Sequence, residues 1–155
     1  MNKIILFITI LSYSLVVSQS FMYILALKNT QLALGGSSYV EVRQLIDANM
    51  RGSFKYVIYT ALLSSLLLLI VNYKNPSGLL FITSAIALIA LVTDILLMVK
   101  GNMPLNEIIN GWSPENYPAD WKTVRQAWFN ILQYRQLANI AGFLSLLAGA
   151  VFGGK

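Results

Sequence analysis

The sequence predicts an all-α integral membrane protein that forms a four-helix bundle, with one four-span domain over residues 1–155. Four apolar stretches are each long or nearly long enough to cross hydrocarbon, which takes roughly 20 residues of helix. They are residues 4–27, 56–73, 79–99 and 137–152. Charged residues make up 11% of the chain and hydrophobic residues 57%, whereas about a quarter of a soluble domain is charged. The length leaves room for one bundle and two modest loops.

The first apolar stretch carries many polar side chains for a helix that faces lipid. Gln19, Ser12 and Tyr23 fall roughly on one side at helical spacing, which suggests a face turned toward the bundle interior or a cavity. For the serines we favour the alternative, in which each hydroxyl bonds to a carbonyl of its own helix. Gln19 cannot satisfy itself so easily and is therefore a candidate ligand-binding residue.

Loop 1 is expected to contain a short amphipathic helix over residues 38–51. Ser38 and Glu41 have the spacing of a capping box at its start. Its apolar stripe consists of Val42, Leu45, Ile46 and Met50. Gly52 is expected to end it before the second span begins, so that the helix lies across the mouth of the bundle.

The second and third spans are predicted to be antiparallel neighbours, joined by a tight turn over residues 74–78 that contains proline and glycine. Asp94 lies near the end of the third span and is the only acidic residue within a span. It is either a base that faces a cavity or half of a structural ion pair with Arg135, Lys100 or Arg51. The pattern alone favours the ion pair.

Loop 3, residues 101–120, is expected to be a structured connector too irregular to form one helix. Pro104, Pro114 and Pro118 are the residues that interrupt it. Asp120 at its end is expected to cap the last helix.

The last helix is predicted to continue without a breaker from residue 121 to residue 152, roughly 45 Å at 1.5 Å per residue. This length exceeds the hydrocarbon thickness, so its first half must lie outside the bilayer or be shielded by protein. Ser145, Gly149 and Gly153 follow at four-residue spacing. Small residues let helices approach closely, either within the bundle or between protomers.

The start of the last helix carries aromatic and guanidinium side chains on one face. The members of this polar stripe recur every three or four residues and are Trp121, Arg125, Trp128, Leu132, Arg135 and Asn139. Such a stripe can bind a flat or anionic group by stacking and forked hydrogen bonds. Alternatively, it is an interfacial anchor whose arginines pair with loop acids such as Glu107 or Asp120. Periodicity alone favours the anchor.

Motifs around this helix resemble the anthrone-oxygenase-like family of small four-span membrane proteins, many of whose bacterial members have no known function. The matching segments are Gly101-Asn102-Met103-Pro104-Leu105-Asn106, Pro118-Ala119-Asp120-Trp121, Arg125-Gln126-Ala127-Trp128 and Tyr134-Arg135. The likeness covers loop 3 and the last helix closely, and elsewhere only the number and spacing of spans. It implies a four-helix membrane bundle that oxidises anthrones to anthraquinones with molecular oxygen and without a metal or flavin. Tyr134 stands where relatives often carry histidine.

A catalytic version of this protein needs a base that removes an activated proton and donors that stabilise the developing oxyanion. Asp94 is the candidate base, and Arg135 and Asn106 are the candidate donors. The predicted ligand-binding residues are Trp128, Asn102, Asn139, Arg125, Gln19 and Tyr134, with Asn139 also a possible donor. Together they are expected to shape a pocket for a lipophilic, planar, anthrone- or quinone-like molecule. The alternative is a non-catalytic membrane subunit, or a lipid- or quinone-binding protein, in which the polar stripe serves packing.

The composition also limits cofactors and partners. The chain has no cysteine and no histidine, which excludes thiolate chemistry, histidine-ligated haem and the common zinc and copper sites, so no cofactor or metal site is predicted. The net charge of +5 is spread along the span ends, a pattern that favours contact with anionic lipids over nucleic acid. Expected partners are membrane lipids, a lipophilic small molecule, and a second copy or a larger membrane assembly. We expect the protein in a bacterial inner membrane.

Overall fold

A computed structural model describes residues 3–153. It contains four long helices, α1 (Lys3–Ala33), α2 (Gly36–Asn72), α3 (Leu79–Asn110) and α4 (Trp121–Phe152). Each helix is long and apolar enough to cross a membrane, which confirms the predicted all-α four-helix membrane bundle. The only extended pairing among the described residues is an isolated bridge between Ser113 and Asn116, in the connector before α4.

Large apolar side chains cover the outside of the bundle along the four spans. Phe7, Leu63, Ile89 and Val151, one on each helix, are each more than 60% exposed. A contiguous apolar surface of this kind is rare on a soluble monomer but matches the acyl chains of a bilayer. The outward faces therefore contact lipid.

The serine hydroxyls of α1 bond back to their own helix. Ser12, Ser14 and Ser18 each donate to a carbonyl three or four residues earlier, at 2.8, 2.7 and 2.8 Å. This confirms the alternative favoured for the serines. Gln19, in contrast, has no hydrogen bond within its own helix.

Small residues on α4 let this helix approach α1 and α3 closely. A Cβ at Gly149 would collide with the hydroxyl of Thr83, and a Cβ at Gly142 would collide with the hydroxyl of Tyr13. Ser145 donates to the carbonyl of Thr83 at 3.2 Å. The small residues therefore pack within the bundle, the first of the two arrangements that the sequence allowed.

α2 is continuous from Gly36 to Asn72, about 55 Å, so the prediction of a separate short helix in loop 1 is wrong. Gly52 lies inside the helix and does not end it. The N-cap is Gly35 and not Ser38 as expected, so no side chain caps this helix. A single interior glycine costs only about 1 kcal/mol relative to alanine. Because α2 continues directly into a membrane span that must keep its backbone bonded, this cost is too small to break it.

The first half of α2 also buries a different face from the one predicted. Leu45, a member of the expected apolar stripe, is 57% exposed. Tyr39, Val40, Arg43 and Asp47 are buried instead. The inward face of this segment is thus aromatic and charged.

α3 extends well beyond the predicted end of its span. It is α-helical over Leu79–Leu97, π-helical over Met98–Asn102 and α-helical again over Met103–Asn110. The first half of loop 3 is therefore helical, which corrects the expectation of an irregular connector there. Pro104 is tolerated because it lies in the first turn of the segment that follows the π turn.

α4 spans Trp121–Phe152 as predicted, with Asp120 at the capping position but without a side-chain capping bond. The chain topology places the carboxyl ends of α1 and α3 and the amino ends of α2 and α4 at one end of the bundle. We call this the loop end. The polar stripe of α4 begins there and continues into the bundle.

Candidate ligand-binding site

A cavity of about 450 Å³ lies between α2 and α3, toward the loop end. Its volume is within the range of roughly 300–1,000 Å³ that is usual for small-molecule sites. Ile58 and Ile95 belong to its apolar wall. Tyr59 and Val99 also line it and are 62% and 49% exposed. The cavity therefore opens sideways between two membrane-spanning helices.

The other two helices form the back of the cavity. α1 contributes Gln19, and α4 contributes Trp128 and Arg135. Asn102 and Asn106 on α3 line it as well. The structure thus brings five of the nine predicted site residues to one cavity.

Asn106 connects three helices at the polar end of the cavity. Its Oδ1 accepts hydrogen bonds from Nη2 of Arg43 at 3.0 Å and Nε1 of Trp128 at 2.8 Å. Its Nδ2 donates to Asp47 at 2.8 Å. If the amide oxygen and nitrogen were exchanged, the NH₂ group would face two other donors, Nη2 of Arg43 and Nε1 of Trp128. The network therefore fixes the orientation of this amide. Asn106, predicted as an oxyanion donor, uses its oxygen and one N–H inside the protein.

Asp47 lines the cavity and was missed in the sequence. Its carboxylate accepts hydrogen bonds from Asn106, from Asn110 at 2.8 Å and from Nε of Arg51 at 2.7 Å. Arg43, Asp47 and Arg51 are spaced by four residues on α2, so they share one face. The four-residue spacing could have indicated this shared face. The apolar residues of the same segment indicate a different buried face instead.

Arg43 was also missed. It is 3% exposed and forms no ion pair within the described part of the chain. Its Nη1 donates to the hydroxyl of Tyr23 at 2.9 Å, and its guanidinium carbon lies 4.1 Å from the ring centroid of Trp128. Its Nε is buried without an acceptor. An unmade buried hydrogen bond of this kind is costly.

Asp94 is fully buried and pairs with Arg135, with 2.7 Å between Oδ1 and Nε. The ion-pair interpretation of Asp94 is therefore confirmed. Nη1 of Arg135 donates to Asn102 at 3.1 Å, and Asn102 donates to the backbone carbonyl of Trp128 at 3.0 Å. Asp94 does not line the cavity, which corrects the expectation that it would face a ligand as a base.

Two π-helical turns position residues around Trp128. One covers Tyr23–Leu27 in α1 and the other Met98–Asn102 in α3. The Tyr23 ring centroid lies 5.5 Å from that of Trp128, and Asn102 bonds to the Trp128 backbone. A π turn inserts one extra residue and rotates the following helix face, and such turns are common at functional sites.

Three predicted ligand-binding residues do not line the cavity. Arg125 donates to carbonyls within residues 31–34 at 3.1 to 3.4 Å and stacks 4.5 Å from the Trp121 ring centroid. It thus joins α4 to the end of α1. Tyr134 is 64% exposed, and Asn139 is 2% exposed with its Oδ1 unpartnered among residues 3–153. These positions correct the prediction that all three would contribute to the pocket.

The structure does not show the features expected of the interfacial-anchor alternative for the polar stripe. Its tryptophans are buried rather than placed at a surface, with Trp121 and Trp128 exposed by 7% and 3%. Arg125 binds backbone carbonyls, and Arg135 binds Asp94, so neither pairs with a loop acid. The stripe therefore faces the interior of the bundle.

No known protein family, curated protein or solved structure matches this chain. The chemistry of the site is therefore argued from its own geometry.

Few hydrogen-bond donors remain free to meet a ligand, because most polar groups of the site bond to one another. The remaining ones include Nε of Arg43, Nη2 of Arg135, Nη1 of Arg51, the amide of Gln19 and the ammonium of Lys55, none of which has an acceptor among the described residues. Four cations and one acid line the cavity. Residues 3–153 contain no group of three or more acids that could hold a metal ion. The cavity thus offers apolar walls and a donor-rich end.

Proposed function

We propose that this protein binds a lipophilic, planar molecule of the anthrone or quinone class in the cavity between α2 and α3, within a bacterial inner membrane. The observation that supports this most is that Trp128 and Arg135 line a cavity of about 450 Å³ with largely apolar walls. A flat ring system can pack against the apolar walls while its oxygen accepts a hydrogen bond at the polar end. The opening between α2 and α3 gives a bilayer-dissolved molecule a route of entry.

A cofactor-free oxygenase is a second candidate, and the resemblance to the anthrone-oxygenase-like family favours it. In that reaction the CH₂ group of an anthrone becomes a carbonyl. One atom of O₂ enters the product, and the other leaves as water with the two hydrogens. Arg135 would stabilise negative charge on the anthrone oxygen. The proton acceptor has no assigned residue, because Asp94 is paired with Arg135 and Asp47 already accepts three hydrogen bonds.

A purely structural role for the polar stripe is the remaining alternative. Under it, the protein is a non-catalytic subunit whose partner is a second copy or a larger membrane assembly. That alternative predicts a stable protein partner in mild detergent and no ligand. The binding proposal instead predicts membrane lipids and a small lipophilic molecule as partners, and no nucleic acid.

Trp128 provides a direct test of binding because it lines the cavity. In a background of Trp112→Phe and Trp121→Phe, we expect saturable quenching of Trp128 fluorescence by a hydroxyanthraquinone, since a quinone ring against the indole quenches it. The protein is measured in detergent, with free tryptophan in the same micelles as the reference. Quenching no stronger than that of the reference would contradict the proposal.

A matched pair of variants on α2 locates the binding site. Ile58 lines the cavity and is 6% exposed, whereas Leu63 faces outward and is 61% exposed. We expect Ile58→Phe to weaken binding about tenfold or more, because overpacking a filled site costs about 1–3 kcal/mol. Leu63→Phe should leave it unchanged. Equal effects of the two variants would place the ligand elsewhere.

Oxygen uptake tests the catalytic candidate separately. With an anthrone substrate, we expect protein-dependent O₂ consumption above the rate of detergent alone, and its loss in Arg135→Ala. Full activity in that variant would exclude Arg135 as the donor. Binding without any protein-dependent uptake would leave the binding function alone.

A further inference from the structure

We propose that the ligand presents an ionised oxygen to Nε of Arg43, which makes the bound molecule an anionic lipophile. This inference rests on the proposed binding function and specifies the charge of its ligand. Arg43 lines the cavity, is 3% exposed, and forms no ion pair with a described carboxylate. Arginine is almost never fully buried without a partner. The missing partner is therefore the first reason to expect an anion.

One donor of Arg43, the Nε–H, is buried and has no acceptor among the described residues. Its two terminal nitrogens are engaged, Nη1 by Tyr23 at 2.9 Å and Nη2 by Asn106 at 3.0 Å, and one face lies on Trp128. The guanidinium is planar and rigid, so these contacts fix the direction of the Nε–H as well. Nε shares an edge with Nη2, which already points to Asn106, a residue of the cavity wall. The remaining donor is therefore oriented before any ligand arrives.

The charges nearby do not neutralise Arg43 directly. Arg135 is paired with Asp94, and Arg51 is paired with both Asp47 and Glu107. Asp47 is linked to Arg43 only through the amide of Asn106. In a site of low dielectric constant, an open N–H on a cation binds a charged oxygen more tightly than a neutral carbonyl.

The ligand class that follows is a ring system with an acidic hydroxyl or carboxyl group that is ionised when bound. The phosphate of an anionic phospholipid carries the same chemistry on an apolar body. Both would reach the cavity through its opening between α2 and α3. The test therefore compares acidic and neutral ring compounds and varies the lipid.

Three probes that differ mainly in charge test the inference, namely anthraquinone-2-carboxylate, its methyl ester and anthraquinone. Binding is measured by equilibrium dialysis against phosphatidylcholine nanodiscs with and without the protein. We expect the wild type to bind the carboxylate about tenfold or more tighter than the ester, as a charge-assisted hydrogen bond implies. Equal affinities would overturn this inference and leave the proposed function standing. Binding of none of the three would overturn both.

Two variants assign the preference to Arg43. Arg43→Met should bind the acid and the ester equally, whereas Lys122→Met, which removes an exposed cation outside the cavity, should keep the wild-type preference. A preference that survives in Arg43→Met would overturn the assignment. If Arg43→Met yields little folded protein, the comparison of acid and ester on the wild type still decides whether the site selects an anion.

Nanodiscs that contain phosphatidylglycerol separate the two sources of the anion. Weaker binding of the carboxylate there, after subtraction of empty discs, would show that a lipid with a net negative headgroup competes for Arg43. Unchanged binding would assign the site to the free acidic ligand. Both results support an ionised oxygen at Arg43, and the acid-to-ester ratio remains the measurement that can refute it.

Discussion

Substituting Arg135 by methionine tests the buried ion pair at the back of the cavity. Asp94 is 0% exposed and Arg135 is 5% exposed, with 2.7 Å between the paired atoms. Removing one partner leaves a buried charge uncompensated, which costs about 3–5 kcal/mol. Loss of the donor to Asn102 adds about 1–3 kcal/mol. For a chain of 155 residues we therefore expect Arg135→Met to lower Tm by on the order of 10 °C or more.

The double variant Asp94→Leu/Arg135→Met separates two quantities. One is the net contribution of the ion pair to the free energy of unfolding, and the other is the cost of leaving one partner unpaired. Replacing both members by apolar residues is often neutral or even stabilising. We therefore expect the double variant to unfold at a higher temperature than Arg135→Met, with a coupling free energy of about 2 kcal/mol or more. Tm is followed by tryptophan fluorescence in one detergent, and the free energies come from unfolding in mixed micelles with SDS.

Gln133→Met is the matched control, because Gln133 is an exposed residue on the same helix. We expect it to change stability by no more than about 0.5 kcal/mol. The reasoning would be refuted if Arg135→Met behaved like this control. It would also be refuted if the effects of Arg135→Met and Asp94→Leu, each measured alone, added up in the double variant.

The other substitutions test the packing of the bundle, and each is followed by Tm in detergent except Arg125→Met, which is followed by hydrogen exchange. Asn106→Ala leaves three partners unbonded and should cost several times the roughly 1–3 kcal/mol of a single unsatisfied group, whereas Asn130→Ala, an exposed control, should change little. Arg125→Met releases three carbonyls and should speed hydrogen exchange where α1 ends. Gly149→Leu should destabilise by about 1–3 kcal/mol or more because α3 leaves no room for a side chain. Gly52→Ala should instead stabilise by about 0.5–1 kcal/mol, since nothing lies within 4 Å of the added methyl group.

The number of membrane helices could be predicted from the sequence because the hydrophobicity of many residues adds up over each long apolar stretch. The ends of the helices could not be predicted, because they depend on small free-energy differences at single residues. Gly52 and Pro104 are helix breakers by type, yet both lie inside longer helices. One glycine costs about 1 kcal/mol, and the π turn before Pro104 changes which carbonyl loses its donor. Neither outcome follows from residue type alone.

The candidate site was predictable where spacing carries the information. Trp128 and Arg135 lie seven residues apart on one helix, so a shared inward face followed from periodicity, and both line the cavity. Arg43 and Asp47 share a face by the same rule. Neither was predicted as a site residue, because charged residues are normally exposed. Most of their partners come from other helices, Tyr23 and Asn106 among them, and the pattern of this segment alone does not reveal those partners.

The same network that buries these charges also determines how a ligand can enter. Nε2 of Gln44 donates to two backbone carbonyls near the end of α3, and Asp47 and Arg51 bond to α3 within the next two turns of α2. These bonds join α2 to α3 on the side of the cavity that faces the loop end. Farther along, Ile58 and Ile95 line the cavity with apolar groups that form no such link. Between these apolar groups, a molecule in the bilayer meets the opening between the two helices. This arrangement favours a ligand that partitions into lipid first and meets Arg43 last.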